Sequence, residues 1–425
     1  MPFDILINGG GIAGPSLAFW LTRHGHAVTI VEQAPQLRTG GQAVDFRGPA
    51  LTVLEKMGLL DRVKAAATQM GPLVLVDGQG KEVGRLPAEV ISGEVEIHWG
   101  DLTRILYEAV CNDVNYRFGV RVTALDDDGD RVNVTFSDGS TGSYDLVIGA
   151  DGLHSGTRRL VFGSEEQHVT QLSQCFGFFD IENRLRLDHC GMAYIDAGRT
   201  AALQAIDPDK PARASLFLSD PEVDFDYRDT EGNKRLFRQR YAGMGWEVPH
   251  ILEGLAGAPE VYFDSIAQVH LDSYARGRVC LTGDAAWCAS PRSGMGTTLA
   301  LVGCYVLAHE MHTAGEDYAA AFARYQRLLA PYVARCQKTA IDALRTERVS
   351  SGRLAPLRNV APADAAHPGG QQARRPAVAG GGAVLLAAEP VIRYTGAAPW
   401  RPAPPAKRPA PSIASAATRE MLANS

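Results

Sequence analysis

Gly9, Gly11 and Gly14 hold the fixed places of a GxGxxG turn in the run Gly9-Gly10-Gly11-Ile12-Ala13-Gly14. Glycines at this spacing suit a pyrophosphate. Gly9 permits the tight bend, Gly11 lets bare backbone approach an anion, and Gly14 lets a helix pack closely on a strand. Ile12 and Ala13 sit where that helix starts, with its free N–H groups and positive dipole end. Eighteen residues after Gly14 comes Glu32, a carboxylate placed to accept hydrogen bonds from ribose hydroxyls. Together these residues read as a dinucleotide site, and the turn alone does not separate NAD from FAD. Two later segments carry further polar chemistry. Asp151-Gly152-Leu153-His154-Ser155-Gly156-Thr157-Arg158 has the form DGxxSxxR, and Gly283-Asp284 precedes Pro291-Arg292-Ser293-Gly294-Met295-Gly296. No Ser/His/Asp arrangement or closely paired carboxylates stand out as acid–base machinery.

The elements that position these residues alternate between strand and helix. Residues 4–8 form a short apolar strand, and residues 15–24 read as a helix burying Leu17, Ala18 and Leu21. Residues 27–32 complete a βαβ unit. Residues 144–151 carry the continuous apolar run of a parallel strand buried on both faces. Between residues 188 and 218, short runs broken by Gly, Asp and Pro predict an antiparallel sheet. An apolar strand returns near Val279, and helices are expected over residues 296–311 and 318–338. The expected class is α/β: a Rossmann-like domain interrupted by an antiparallel-sheet substrate domain, then completed with C-terminal helices. Its expected bounds are 1–165 for the first part, 166–270 for the sheet domain and 271–345 for the completion. Residues 346–425 are expected to be a disordered tail. From residue 351 onward lie eleven of the 24 prolines, with nine basic against three acidic residues, a composition unable to offset its ordering entropy.

The three segments, in this order and at these separations, resemble the class A flavoprotein monooxygenases, the family of para-hydroxybenzoate hydroxylase. The resemblance covers roughly residues 3–340 and is nearest to the tetracycline-inactivating and polyketide-tailoring branch. It implies FAD as the dinucleotide and NADPH or NADH as co-substrate. In that family's chemistry the nicotinamide reduces the flavin, O2 adds at flavin C4a, and the hydroperoxide hydroxylates an electron-rich molecule. By the same resemblance Gly283 and Asp284 reach the ribityl chain, and Pro291, Gly294, Met295 and Gly296 reach the isoalloxazine edge. The helix beginning there would aim its dipole at the reduced ring. Asp151 would touch the pyrophosphate region and the nicotinamide, and Arg47 would approach FAD. Arg158 reads either as a structural cation or as a phosphate ligand. Two positions depart from the pattern. Trp287 stands where a histidine is common, and Trp99 where relatives carry an FAD-contacting arginine, a loss that Arg104 is expected to offset. No second strand–GxGxxG–helix unit exists, which fits a transiently docked nicotinamide.

Substrate contacts are expected from the sheet, with Phe176, Phe178, Met192, Tyr194, Phe217 and Trp246 as candidates, and Met244 and Met295 as apolar lining. Strand alternation turns about half of such residues to plain core whatever the function. His98 and His189 are the candidate bases for a phenol. The partners implied are an aromatic or polyketide-like small molecule and O2. A formal net charge of -6 argues against nucleic acid, and no run approaches a membrane span. Seven scattered cysteines without a CxxC pair point to reduced thiols in a cytoplasmic protein and to no metal site, and the chain is expected to be a monomer or homodimer. Two other readings are a flavin oxidoreductase without oxygen insertion, such as a reductase or halogenase, and a catalytically silent FAD-binding protein. The WxWxIP segment of a halogenase is absent from the sequence.

Overall fold

The computed structural model describes residues 2–38, 41–88, 92–220, 222–223 and 225–351, with side chains through residue 345. Its centre is a parallel sheet in which Leu146–Gly149, Asp4–Asn8 and Ala27–Glu32 lie side by side. Val279–Leu281 extends it on one side and Asn115–Phe118 on the other, both parallel, and Ala275–Arg276 closes one edge antiparallel. Ile5, Leu6, Ile7, Leu146, Val147 and Ile148 are fully buried. That burial on both faces is why their sequence runs without polar alternation.

One face carries a three-stranded meander, Val122–Asp127, Val132–Phe136 and Thr141–Tyr144, whose Val132, Val134 and Phe136 share a core with Leu6, Val31 and Val147. Helices Ala13–Arg23 and Gly296–Ala314 pack elsewhere on this sheet and meet where Cys304 Sγ donates to the Ala13 carbonyl at 3.2 Å. The first of these buries Leu17, Ala18 and Leu21, as the spacing requires. The last helix, Tyr318–Ser351, runs thirteen residues past the expected residue 338 and enters the span read as tail. The rest of that span lies outside the described residues.

The second sheet has seven strands, in the order Tyr262–Val269, Val169–Ile181, Ala212–Ser219, Arg199–Ala205, Cys190–Asp196, Leu73–Val76 and Glu82–Leu86. All neighbours are antiparallel except Cys190–Asp196 with Leu73–Val76, which are parallel. The sheet thus takes two strands from within residues 1–165. These two form a hairpin with each other, and Leu73–Val76 joins the rest through Cys190–Asp196, more than 100 residues downstream, a pairing that no local pattern announces. Helices Thr230–Arg240 and Val248–Gly257 cover one face through Phe237, Tyr241, Val248, Ile251 and Leu255. A separate pair, Ala43–Phe46 with Val95–His98, joins the two sheets' connecting segments. Among the described residues no helix is long and apolar enough to cross a membrane.

A histidine cluster ties the N-terminal helix to the 296–314 helix. His24 stacks on His312 with ring centroids 4.1 Å apart, and His26 Nδ1 accepts from Phe3 N–H at 3.0 Å. Burial, and then the neighbouring His312 imidazole, lower both His24 and His26 to about 4. The folded state therefore binds these protons later than the unfolded chain, whose histidines titrate near 6.5. Their contribution to stability is complete above about pH 6.5 and falls as pH drops toward 4. Thermal melts between pH 7.5 and about 4.5 should show this acid loss. A His24→Asn variant should lose less over the same range.

Candidate cofactor and substrate site

The carboxyl ends of the adjacent strands Asp4–Asn8, Leu146–Gly149 and Val279–Leu281 deliver three loops to one edge of the parallel sheet. Gly9 takes φ +120°, and a Cβ there would strike the Ala150 carbonyl. A Cβ on Gly14 would strike the Gly9 carbonyl oxygen, so helix and turn touch backbone to backbone. Gly11 is different: a Cβ would meet nothing nearer than the Trp99 ring at 3.8 Å, so the missing side chain leaves its backbone open. Glu32 receives Gly10 N–H at 2.7 Å and Ala34 N–H at 2.8 Å, which fixes its carboxylate at the head of the turn. Tyr116, not anticipated from sequence, donates its hydroxyl to the Gly10 carbonyl at 3.0 Å.

Asp151 organises the second loop. Its carboxylate accepts from Asn8 Nδ2 at 3.0 Å, from Thr157 N–H at 2.9 Å, from Thr157 Oγ1 at 3.0 Å and from Ser155 Oγ. The Asn8 bond links this loop to the strand that feeds the glycine turn. Arg158 is fully buried and links it to the third, donating to Ala285 O at 2.9 Å and Leu153 O at 2.6 Å. Of the two readings for Arg158, its placement is that of a structural cation. Gly283 lies against Ala13, where a Cβ would come within 3.0 Å of the alanine methyl. Asp284 opens to solvent at its tip although it is deeply set among protein atoms. Desolvation raises its carboxyl pKa, against a hydrogen bond from Cys288 and with help from the Asp264 charge.

Pro291–Ser293 form a single 3-10 turn, and Gly294 leaves it at φ +61°, the left-handed region that favours glycine. Met295 caps the next helix without a side-chain hydrogen bond, and Gly296 has no atom within 4 Å of a notional Cβ. Neither the Ala13–Arg23 helix nor the Gly296–Ala314 helix has a side-chain cap or an acid in its first turn. Long helices normally satisfy those N–H groups with a side chain or a bound anion. Two uncapped starts, an open Gly11 and a fixed Glu32 fit FAD: Gly9 to Gly14 and Glu32 would hold its dinucleotide half. Asp284 and residues 291–296 would hold the flavin half. Arg47 joins them through its backbone, donating to Thr298 Oγ1 at 3.2 Å, while its guanidinium pairs with Asp45 at 3.4 Å. Among the described residues, Arg47 Nε is buried with no hydrogen-bond partner.

Arg104 does not join the cluster. It is 51% exposed on the outer face of helix Trp99–Glu108, held by Asp101 at 2.8 Å and Glu108 at 3.6 Å. One helical turn from Trp99 points it to solvent, so the expected compensation is not present. Trp99 itself covers the glycine turn, with its ring edge beside Gly11 and its Cβ against Gly41. Trp287 is 1% exposed, packed on Tyr274 and Tyr325 in the core. His98 is half-buried, opposite Ala43 in the small two-stranded sheet. His189 is exposed, paired with Asp188 at 2.7 Å.

Alternation along the second sheet sorts the substrate candidates. Phe176, Phe178 and Phe217 share one face, with ring centroids 4.9 to 5.7 Å apart. Arg292, from the 291–296 turn, lies over the Phe217 ring at 5.2 Å and donates to Gln174 at 3.0 Å, so this face meets the flavin-side loop. Met192 and Tyr194 pair across from Leu203 and Ala201, which puts them on the opposite face. There, with Met244 and Trp246, they pack among the covering helices and form core rather than pocket. The sequence reading missed Tyr262, which stands opposite Phe178 on the aromatic face and is 47% exposed. It also missed His154 and Asp264, whose pairing spans 110 residues and leaves no local signal. No described residues form a group of three or more His, Cys, Asp or Glu able to hold a metal ion.

A parallel sheet with two anion-ready helix starts, backed by an aromatic sheet, defines a flavin dinucleotide enzyme. The FAD binding domain family matches residues 2–346. An uncharacterised protein of Mycobacterium tuberculosis strain H37Rv is 42% identical over 78% of this chain and 91% of that protein. A flavin-dependent monooxygenase of Legionella longbeachae is 36% identical over 79% of this chain and 87% of its own. The crystal structure of tetracycline destructase Tet(51) aligns with a TM-score of 0.76 at 36% identity, covering 83% of this chain and 94% of that one. The chain belongs to the flavin-dependent monooxygenases and is an FAD-dependent oxidoreductase.

The glycine geometry separates two substitutions. Gly11→Ala should fold with an unchanged melting temperature and bind FAD more weakly, because its methyl enters open space. Gly14→Ala should be destabilised by about 1–3 kcal/mol even without FAD, because backbone must move. Differential scanning calorimetry with an FAD titration of both variants checks the contrast.

Proposed function

We propose that this enzyme uses NADPH or NADH with O2 to hydroxylate a phenolic or polyketide-like small molecule. The observation that carries the reading is the aromatic face of Phe176, Phe178, Phe217 and Tyr262, turned toward the 291–296 loop by Arg292. Flat rings on that face would be sandwiched against the flavin edge, with π-faces available for offset stacking. Likeness to Tet(51), a tetracycline destructase, supports a polycyclic substrate. In this reading residues 166–270 supply most of the substrate wall, and residues 1–165 with 271–345 supply the cofactor fold. A cytoplasmic reaction is consistent with NAD(P)H as reductant.

When bound, FAD supplies the redox chemistry, passing nicotinamide electrons to O2. The chain's own residues bind, orient and exclude water. Glu32 takes the ribose hydroxyls and the turn at Gly9 to Gly14 takes the pyrophosphate. With the flavin ring held there, the uncapped start of the Gly296–Ala314 helix would favour negative charge on it. The apolar sheet face keeps water from the reacting atoms, which limits wasteful release of peroxide.

FAD-loaded protein should oxidise NADPH or NADH slowly in air, and faster with a matching compound from a panel of phenols and tetracyclines. Mass spectrometry should find that compound heavier by one oxygen atom. Electrons recovered entirely as peroxide with every compound would favour an oxidoreductase without oxygen insertion. No oxidation of either nicotinamide would contradict the proposal.

A further inference from the structure

Tyr262 opens strand Tyr262–Val269 at the edge of the second sheet, directly opposite Phe178 and stacked on it with an interplanar angle of 6°. Its hydroxyl donates to Asp264 Oδ2 at 2.8 Å. Asp264 is only 5% exposed, and its Oδ1 collects Ser265 N–H at 2.7 Å and His154 Nε2 at 3.1 Å. The other nitrogen of His154 faces Glu165 Oε1 at 2.7 Å, and the ring stacks on Tyr227 at 3.5 Å. Arg159 closes the chain against Glu165 at 3.4 Å.

The direction of every hydrogen bond in this chain follows from chemistry. Only a doubly protonated imidazole can donate to two carboxylates at once. Burial opposes that charge, yet Asp264 and Glu165 outweigh it and raise His154 to about 8. Asp264, meeting donors on both oxygens, acts as acceptor, so the Tyr262 proton is committed to it. Tyr262 keeps that proton: although the residue is 47% exposed, protein crowds its hydroxyl end, and that desolvation together with the Asp264 charge raises its pKa well above the usual phenol range. Among the described residues no second group bonds the Tyr262 oxygen. On its free side it therefore offers lone pairs and no proton.

We propose that Tyr262 is a specificity-determining residue that accepts a hydrogen bond from a phenolic or enolic O–H of the substrate, with Asp264 as its positioning residue. The inference rests on the proposed hydroxylation of phenolic or polyketide-like molecules and names the group on them that is recognised. A donor on the substrate is satisfied, whereas an ether oxygen at the same place faces lone pairs and is rejected. A phenol that donates to Tyr262 also gains electron density in its ring, which suits attack by an electrophilic oxygen.

The test uses full-length, FAD-loaded protein and a matched pair of probes, 2-naphthol and its methyl ether, with binding read by isothermal titration. Wild type should prefer the naphthol by roughly three- to tenfold, the worth of one hydrogen bond. Tyr262→Phe should bind FAD normally and lose that preference. Asp264→Asn frees the tyrosine proton to donate, so the preference should shift toward the ether, an effect that mere loss of packing would not produce. Three results would overturn the proposal: a preference retained in Tyr262→Phe, no binding of either probe by wild type, or weakened FAD affinity in Tyr262→Phe, which would assign the tyrosine to the cofactor. FAD content is measured first in every preparation. Failure of wild type to take up FAD strikes the flavoenzyme reading itself, while normal FAD uptake without discrimination strikes only the role of Tyr262.

Discussion

The structure depends on one constraint, that two long helices begin without side-chain caps at the same edge of a parallel sheet. Each start leaves backbone N–H groups that the protein does not satisfy with a side chain, and neither first turn carries an acid. Such starts favour an anion, through their free N–H groups and the positive end of the helix dipole. The neighbouring strands Asp4–Asn8, Leu146–Gly149 and Val279–Leu281 run parallel, so the loops that follow them converge on that edge. Asn8 to Asp151 and Arg158 to Ala285 then fasten the three loops together across gaps of more than 100 residues. A phosphate-bearing cofactor spanning both starts would satisfy the whole arrangement at once.

The second sheet answers a different demand. It must present one apolar, aromatic face to the loops and hide the other beneath helices. Period-two alternation does both with the same strands: Phe176 and Phe178 pack with Phe217 in a cluster that includes Ile341 and Leu344 of the last helix, while Cys175 and Phe179 join the core on the other face. The polar exception on the open side is the edge strand. There Tyr262 and Asp264 take the places opposite Phe178 and Phe176, and His154 comes from the DGxxSxxR loop to meet them. The sheet edge and the DGxxSxxR loop are thereby physically coupled through one imidazole.

Much of this was legible in the sequence, for a physical reason. The GxGxxG turn, Glu32 and the buried strands are local patterns, set by close backbone contacts that only glycine allows and by burial on both faces. The DGxxSxxR segment and Gly283-Asp284 were legible through family resemblance. What failed was whatever depended on facing or on distant pairing. Met192 and Tyr194 have the right chemistry and the wrong strand parity. Arg104 lies on the correct helix but its outer face, where Asp101 and Glu108 hold it. Strands Leu73–Val76 and Glu82–Leu86 join a sheet whose other members lie beyond residue 168. Trp99 was read as a lost cation, whereas its place is as an aromatic cover beside Gly11.

The central claim is that one cofactor bridges both uncapped helix starts. Hydrogen–deuterium exchange of the full chain, with and without FAD, measures this directly at the backbone amides concerned. The account predicts that amides in residues 9–16 and in residues 291–299 gain protection together, at the same FAD concentration. Protection confined to residues 9–16, with residues 291–299 exchanging as before, would contradict it.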